Sequence, residues 1–350
     1  MSTLNEQVLA RAASLGVPFS VHVDLTYRCN ERCVHCYLDH HGRNEMTTNE
    51  WRELLDQLAE AGTFFLTLSG GEIFLRPDFF EILEHARART FCVTLKTNAT
   101  LIGAREADDI RSAGVNAVHV SIYSHRPEVH DAITLVRGSW ERSVAAIRLL
   151  RTRGQKVIAV YIATRPGAGD HPAVRALADE LGAGFRIDPT IVPKLDGDTS
   201  VLALQVARSD LVQIMTRPEY VGNVEEFCAL TEPGDSAALD DIPCSAGHTH
   251  GYIAPNGDVF PCVQFPMRCG SVRQQRFAEI WRNSAQMREV RSIRMHDLPV
   301  CSGCSHALSC SRCPGLALVG GDLRGPSFQD CEKAWARTGQ KPTGYPRSLA

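Results

Sequence analysis

Thiols are the side chains of this chain best equipped for chemistry: 13 of its 350 residues are cysteines. Three of them, Cys29, Cys33 and Cys36, lie in LTYRCNERCVHCYLDHH, a Cys-x3-Cys-x2-Cys run. Three thiolates on one short loop can converge on one metal centre. A structural zinc ion would take a fourth ligand, which His35, His40 or His41 could offer. An iron–sulfur cluster of the [4Fe–4S] type held by three cysteines instead leaves one iron open to a ligand. Spacing alone leaves both open. Seven more thiols follow near the C-terminus: Cys244, Cys262, the pair Cys301-x2-Cys304, the pair Cys310-x2-Cys313, and Cys331. Taken alone, those two pairs read as a zinc ribbon. Cys92, Cys228 and Cys269 are left over, and Cys92, inside the apolar run FCVTL, reads as a small core residue.

The elements that must position these groups show in the hydrophobic pattern. Apolar, β-branched runs predict strands at Ser20 to Leu25, Phe64 to Ser69, Phe91 to Lys96, Ala117 to Ile122, Val157 to Ile162 and Gly184 to Asp188. Helical patterns fall near Thr48 to Ala61, Phe79 to Arg89, Ala104 to Ala113, Trp140 to Arg153 and Ala173 to Leu181, with Gly62, Gly114, Gly154 and Gly182 just past helix ends. Thr47-Thr48-Asn49-Glu50 is a capping signal for the first of them. Such alternation implies an α/β fold with a parallel sheet covered by helices. The Cys29 loop directly follows the first strand. Beyond Pro193 the pattern changes: a short helix near Ser209 to Thr216, an acidic loop from Glu232 to Asp241, then about 107 residues rich in Gly, Pro and Cys, with one helical stretch near Phe277 to Arg291. So little regular core there suggests that metal helps hold the segment together.

Composition narrows the class. The chain is 44% hydrophobic and 22% charged with a formal net charge of −3, which excludes the basic footprint of a general nucleic-acid binder. No apolar run approaches the roughly 18 residues of a membrane span. The odd cysteine count, and an N-terminus with Glu6 and no apolar stretch before a cleavage site, argue for a reducing cytoplasm over secretion.

A second motif bears on the first. The second strand ends in Ser69-Gly70-Gly71-Glu72, at the carboxyl end where α/β folds bind ligands. With Cys-x3-Cys-x2-Cys after the preceding strand, this turn resembles the radical S-adenosylmethionine (SAM) superfamily over about Phe19 to Ile191. The resemblance implies a partial (β/α)6 TIM-like barrel, a [4Fe–4S] cluster on Cys29, Cys33 and Cys36, and SAM bound at the open iron. Reductive cleavage of SAM would then give a 5′-deoxyadenosyl radical that takes a hydrogen atom from substrate. Gly70, Gly71 and Glu72 would line the methionine end of SAM, Glu72 accepting from its ammonium group, and His35 would sit by adenine. Ser121, in VHVSIYS, would contact the ribose. HDAITLVRGSW resembles a segment that places an arginine near the SAM carboxylate; Thr134 holds the matching place here, and the nearest arginine is Arg137. Ile73 stands where many members carry proline.

The C-terminal thiols, with a Gly-x4-Cys inside YIAPNGDVFPC that reads as a hairpin turning at Asn256-Gly257, resemble the SPASM domain, which carries auxiliary iron–sulfur clusters. The spacing differs only in having x2, not x3, between Cys310 and Cys313. By that resemblance Cys301, Cys304, Cys310 and Cys331 would hold a distal cluster, and Cys244, Cys262 and Cys313 a proximal one. Its fourth ligand would be Cys269, His250 or His248, or an iron left open. The implied organisation is an N-terminal extension (1–18), the barrel (19–195), a linker with a bridging helix (196–243) and the SPASM domain (244–350).

Enzymes of this architecture most often modify peptides or proteins, so the expected activity is oxidative maturation of a peptide or protein. The alternative is the same chemistry on a small molecule, such as decarboxylation of a tetrapyrrole propionate or alcohol oxidation on an aminoglycoside-like sugar. About 19 residues precede the first strand, too few for a folded leader-binding module, so a separate leader-binding protein is one expectation. Candidate bases are Asp188 and Tyr161, and Cys228 or Cys269 could return a hydrogen atom to substrate. Arg268, Arg273, Arg276 and Lys333 could dock a flavodoxin or ferredoxin reductant.

Overall fold

The structure, a computed structural model, describes residues 4–40, 42, 44–228, 230, 242–307 and 310–346. His41 and the acidic loop at 232–241 lie outside the described residues. After α1 (Leu4–Ser14), strands and helices alternate as β1 (Ser20–Asp24), α2 (Thr48–Glu60), β2 (Phe65–Ser69), α3 (Phe79–Ala88), β3 (Cys92–Thr97), α4 (Ala104–Ser112) and β4 (Ala117–Ser121). Two helices, α5 (Pro127–Thr134) and α6 (Ser139–Thr152), lead to β5 (Val157–Ile162), α7 (His171–Glu180) and β6 (Gly184–Asp188). Short helices α8 (Arg208–Met215), α9 (Pro218–Val221) and α10 (Val224–Phe227) precede β7 (His250–Ile253), β8 (Asp258–Phe260) and β9 (Gly270–Ser271). The chain ends in α11 (Phe277–Asn283), α12 (Ala285–Ser292), α13 (Pro314–Val319) and α14 (Phe328–Thr338).

Strands β1 to β6 form the expected parallel sheet, in the order β6-β5-β4-β3-β2-β1. Side chains alternate across it. Val21, Val23, Leu66, Leu68, Val93, Leu95, Val118 and Val120 are buried beneath the helices. On α2, Trp51, Leu54, Leu55 and Leu58 repeat at helical spacing on the buried face. Thr47 and Glu50 close the expected capping box at its start. The other face of the strands, at i and i+2, points into the barrel. There the sequence changes character: His22, Lys96, His119, Ser121, Arg186 and Asp188 line a cavity.

The C-terminal segment is less separate than its composition suggests. Strand β7 pairs in parallel with β1, Ser20 opposite His250 and Val23 opposite Ile253, and β8 and β9 continue the same nine-stranded sheet. The hairpin does turn at Asn256-Gly257, where Gly257 has φ +88°. Ile253, Val259, Phe277, Ile280 and Trp281 belong to one core with the barrel residues. A few large apolar side chains on short elements thus supply burial that a count of long elements misses. The predicted helix from Phe277 to Arg291 is two: Ser284 is extended (φ −64°, ψ 141°) and accepts from the Met287 amide to start α12.

Candidate active site

The strand ladder between β1 and β2 continues into the loops. The Leu25 amide donates to Ser69 O (2.8 Å), Gly71 to Thr26 O (2.7 Å) and Glu72 to Arg28 O (2.9 Å). The two motifs are therefore stitched backbone to backbone. A Cβ at Gly70 would lie 2.2 Å from Thr26 O, and one at Gly71 2.2 Å from Arg28 O. Both glycines are required by close approach.

Beyond this seam, Cys29, Cys33 and Cys36 ring one end of a cavity of about 330 Å3 that Gly70, Gly71, His35, Ser121 and Asp188 also line. The loop is pinned from the far side by Arg32 and Val34 amides donating to Thr134 O (3.1 Å) and Ile133 O (2.9 Å) of α5. Burial pushes the Cys29 thiol up to about 12 and Cys33 well above its ordinary value, with neighbouring Glu31 and the other thiols adding to the effect. Such a donor set fits a cationic centre, which reverses that cost by binding the thiolates. Two buried polar atoms at this end, Glu31 Oε1 and His35 Nδ1, have no partner among the described residues. No three such side chains among the described residues meet at the spacing of one metal ion.

His35 packs edge-on to Tyr123 (centroids 4.7 Å), which stacks on His130. Glu72 is placed differently from expectation. Its carboxylate is fully buried, accepts from Thr97 Oγ1 (2.8 Å), the Asn98 amide (2.9 Å) and the Phe74 amide (3.2 Å), and does not line the cavity. Through these three donors it fixes the end of β3 to the Gly-Gly turn. The carboxylate that does face the cavity here is Glu31, two residues after Cys29. Thr97 and Asn98, in LKTN, were likewise not singled out from sequence; Asn98 Nδ2 donates to Asn30 Oδ1 (2.9 Å) and lies 3.8 Å from Cys29 Sγ.

Arg137 is exposed and lies outside the cavity lining. Leu135 (φ 58°) and Gly138 (φ 75°) turn the chain there, while Asp131 is spent on the start of α6 through the Gly138 and Trp140 amides. Tyr161 is fully buried and donates to Gly167 O, so it is no base for this cavity. Asp188 does line it, accepting from the Thr190 amide (2.9 Å).

The C-terminal thiols separate into two neighbourhoods. Cys244 and Cys262 raise the Cys313 thiol after burial, and Cys310, Cys301 and Cys304 do the same for Cys331. Gly315, where a Cβ would lie 2.3 Å from Gln264 O, lets the start of α13 approach the loop after Cys262. Val263 and Gln264 of that loop line the cavity, so the first neighbourhood borders it. Arg312, missed in sequence, is buried beside Cys301, with its guanidinium donating to Gly325 O (2.8 Å).

Packing places each of the remaining candidates. Cys269 is a core residue whose thiol donates to Met267 O (3.4 Å), His248 lies beside Arg291 and Arg294, and His250 starts β7. The His248 and His250 amides donate to Ser245 O (3.0 and 3.1 Å), the residue after Cys244. Cys228 sits just after α10, near Arg337, so neither it nor Cys269 reaches the cavity. Cys92 starts β3 and is half-buried. Arg268, Arg273 and Arg276 each hold a carboxylate of the chain (Asp258, Glu50, Glu60), and Lys333 is largely buried against Asp330 (2.7 Å).

The radical SAM superfamily pattern matches residues 23–179 and the SPASM iron–sulfur cluster-binding domain matches residues 244–305. The chain belongs to the radical SAM superfamily and carries a SPASM domain, and with them come a [4Fe–4S] cluster, SAM and auxiliary iron–sulfur clusters. It is 30% identical over 332 residues to an AdoMet-dependent heme synthase of Methanosarcina barkeri, covering 87% of this chain and 93% of that one. It is 30% identical over 327 residues to a PqqA peptide cyclase of Xanthomonas campestris (87% and 84% covered). It is 29% identical over 308 residues to the mycofactocin maturase MftC of Mycobacterium tuberculosis (85% and 78%). The fold is shared with Streptococcus suis SuiB bound to S-adenosylmethionine, at TM-score 0.72 and 16% identity over 93% of this chain and 81% of that one. No helix among the described residues is long and apolar enough to cross a membrane.

Proposed function

We propose that this radical SAM/SPASM enzyme oxidatively modifies a peptide or protein. The observation that carries the reading is one cavity in which the Cys29 loop, the Gly70-Gly71 turn, the inward side chains of β3, β4 and β6, and the loop after Cys262 all meet. Relatives named as a peptide cyclase and a maturase, each aligned over more than three quarters of both chains, support the substrate class. Cys29, Cys33 and Cys36 hold the SAM-binding cluster, in the barrel at 19–195. Cys301, Cys304, Cys310 and Cys331 hold the distal auxiliary cluster and Cys244, Cys262 and Cys313 the proximal one, within 244–350. The bound cluster and SAM supply a hydrogen-abstracting radical. Gly70 and Gly71 present bare backbone to the cofactor, while His35 and Tyr123 wall it. Asp188, at the substrate end, is placed to take a proton. Enclosure by Val263 and Gln264 keeps water from the reacting carbon. Thirteen free thiols fit a reducing cytoplasm, where a flavodoxin or ferredoxin supplies electrons and a separate small protein delivers the peptide.

The test is to co-express the enzyme with short reading frames encoded beside its gene and read peptide masses. A mass change that depends on Cys33 supports the reading, and unmodified peptides beside a modified small molecule overturn it. Action on a tetrapyrrole is the second reading, supported by the heme synthase relative.

A further inference from the structure

The cavity is chemically lopsided. Its thiol end holds Glu31, whereas its floor holds four basic side chains from four strands: His22 of β1, Lys96 of β3, His119 of β4 and Arg186 of β6. His119 and Arg186 lie two residues before Ser121 and Asp188 on their strands, roughly 7 Å deeper than the strand ends that meet the Cys29 loop. Neither Lys96 nor Arg186 has an ion-pair or hydrogen-bond partner among the described residues. Two carboxylates, Asp24 and Asp188, lie near enough to favour the charged form of Lys96, but each is already hydrogen-bonded elsewhere. Asp24 accepts from Tyr252 (2.8 Å), Tyr37 (3.2 Å) and His22 (3.0 Å), and Asp188 from the Thr190 amide.

Two cations facing one solvent-reachable cavity repel each other, and an anion held between them relieves that repulsion. Their mutual influence is visible. Burial, then Lys96 and Arg186, hold the His119 imidazole down at about 4, and burial, then Lys96, lower His22. The opposite face of the same strands is apolar and buried, whereas Lys96 and Arg186 reach solvent through the cavity.

We propose that Lys96 and Arg186 form an anion subsite on the barrel floor that holds a carboxylate of the substrate. The Arg186 fork and the Lys96 ammonium match a planar monoanion. Asp188 at the rim and Glu31 opposite make a dianionic phosphate the poorer fit. Resting on the peptide reading above, the carboxylate is that of a peptide, at its C-terminus or on an acidic side chain. A small-molecule propionate would offer the same chemistry.

The test uses the anaerobically reconstituted full-length holoenzyme with SAM, titrated calorimetrically with four probes. They are acetyl-tetraalanine as free acid and as amide, and coproporphyrin as free acid and as tetramethyl ester. The acid form of the peptide should bind about tenfold or more tighter than its amide, about 1.4 kcal/mol, and Lys96→Met and Arg186→Met should each remove that preference. Iron content and circular dichroism check that these variants fold, with Lys96→Gln and Arg186→Gln as substitutes where they do not. Preference for the porphyrin acid alone keeps the subsite and overturns the peptide source. Equal binding of acids and neutral forms, no binding of any acid, or a preference that survives both substitutions overturns the subsite. So does a loss of SAM affinity in Lys96→Met as large as the loss of carboxylate affinity, which would assign the cations to the cofactor.

Discussion

Replacing Gly71 by alanine should displace the loop that carries Cys29. The new Cβ would lie 2.2 Å from Arg28 O, 2.7 Å from Arg28 C and 2.9 Å from Tyr27 O, all backbone, so no side-chain rotation relieves it. Normal contact demands a separation of about 1 Å more, which breaks the Gly71 to Thr26 and Glu72 to Arg28 hydrogen bonds (2.7 and 2.9 Å). Two lost bonds at about 1 kcal/mol each, with an overpacking cost of about 1 kcal/mol or more, give a destabilisation of about 3 kcal/mol. Thermal unfolding of the reconstituted enzyme should fall by roughly 6 °C. A 1 Å misplacement of a reacting centre can cost about 100-fold in rate, so 5′-deoxyadenosine formation should drop by about that factor. Gly169→Ala is the control: nothing lies within 4 Å of its Cβ, and stability should stay within about 0.5 kcal/mol of the parent. A Gly71→Ala protein with parental unfolding temperature and SAM cleavage would refute the stitched-loop reasoning.

Other perturbations probe the supports of the site. Thr97→Val removes a hydroxyl from the buried Glu72 carboxylate and should cost about 1–3 kcal/mol in denaturant unfolding; no change would mean that Glu72 does not hold the turn. Glu50 caps α2 and grips Arg273 (2.6 and 3.0 Å), which lowers its pKa from 4.5 to about 2. A lowered folded pKa means that this contribution is present above about pH 4.5 and fades as pH falls towards 2. Because the side chain is a third exposed, Glu50→Gln should cost only about 1 kcal/mol at neutral pH, a gap to the parent that closes in acid. Cys304→Ala should retain SAM cleavage without substrate and lose product, read by chromatography of both; product at the parental rate would remove the distal cluster from the reaction.

The barrel was legible because its strands and helices obey simple periods. Val21, Val23, Leu66 and Leu68 alternate, and Trp51, Leu54, Leu55 and Leu58 recur at helical spacing. The Cys29 and Gly70 motifs were legible because each residue type meets a local demand, metal ligation or close backbone approach. What sequence could not show was direction. Glu72 turns inward to Thr97 and Asn98, and Glu31 faces the cavity, although both are acidic residues beside a motif. Lys96, His119 and Arg186 come from three strands and lie roughly 20 to 90 residues apart, so only the assembled sheet reveals them as a cluster. Strand β7 was missed as a partner of β1 because pairing more than 200 residues apart leaves no local trace.

The most direct test of the account is 5′-deoxyadenosine formation by the anaerobically reconstituted enzyme given SAM and a strong reductant, measured beside Cys33→Ala. The parent should form it and the variant should not, since Cys33 is one of three thiols holding the cluster at the cavity end. Equal formation by both would contradict the assignment of that cavity as the radical-generating site.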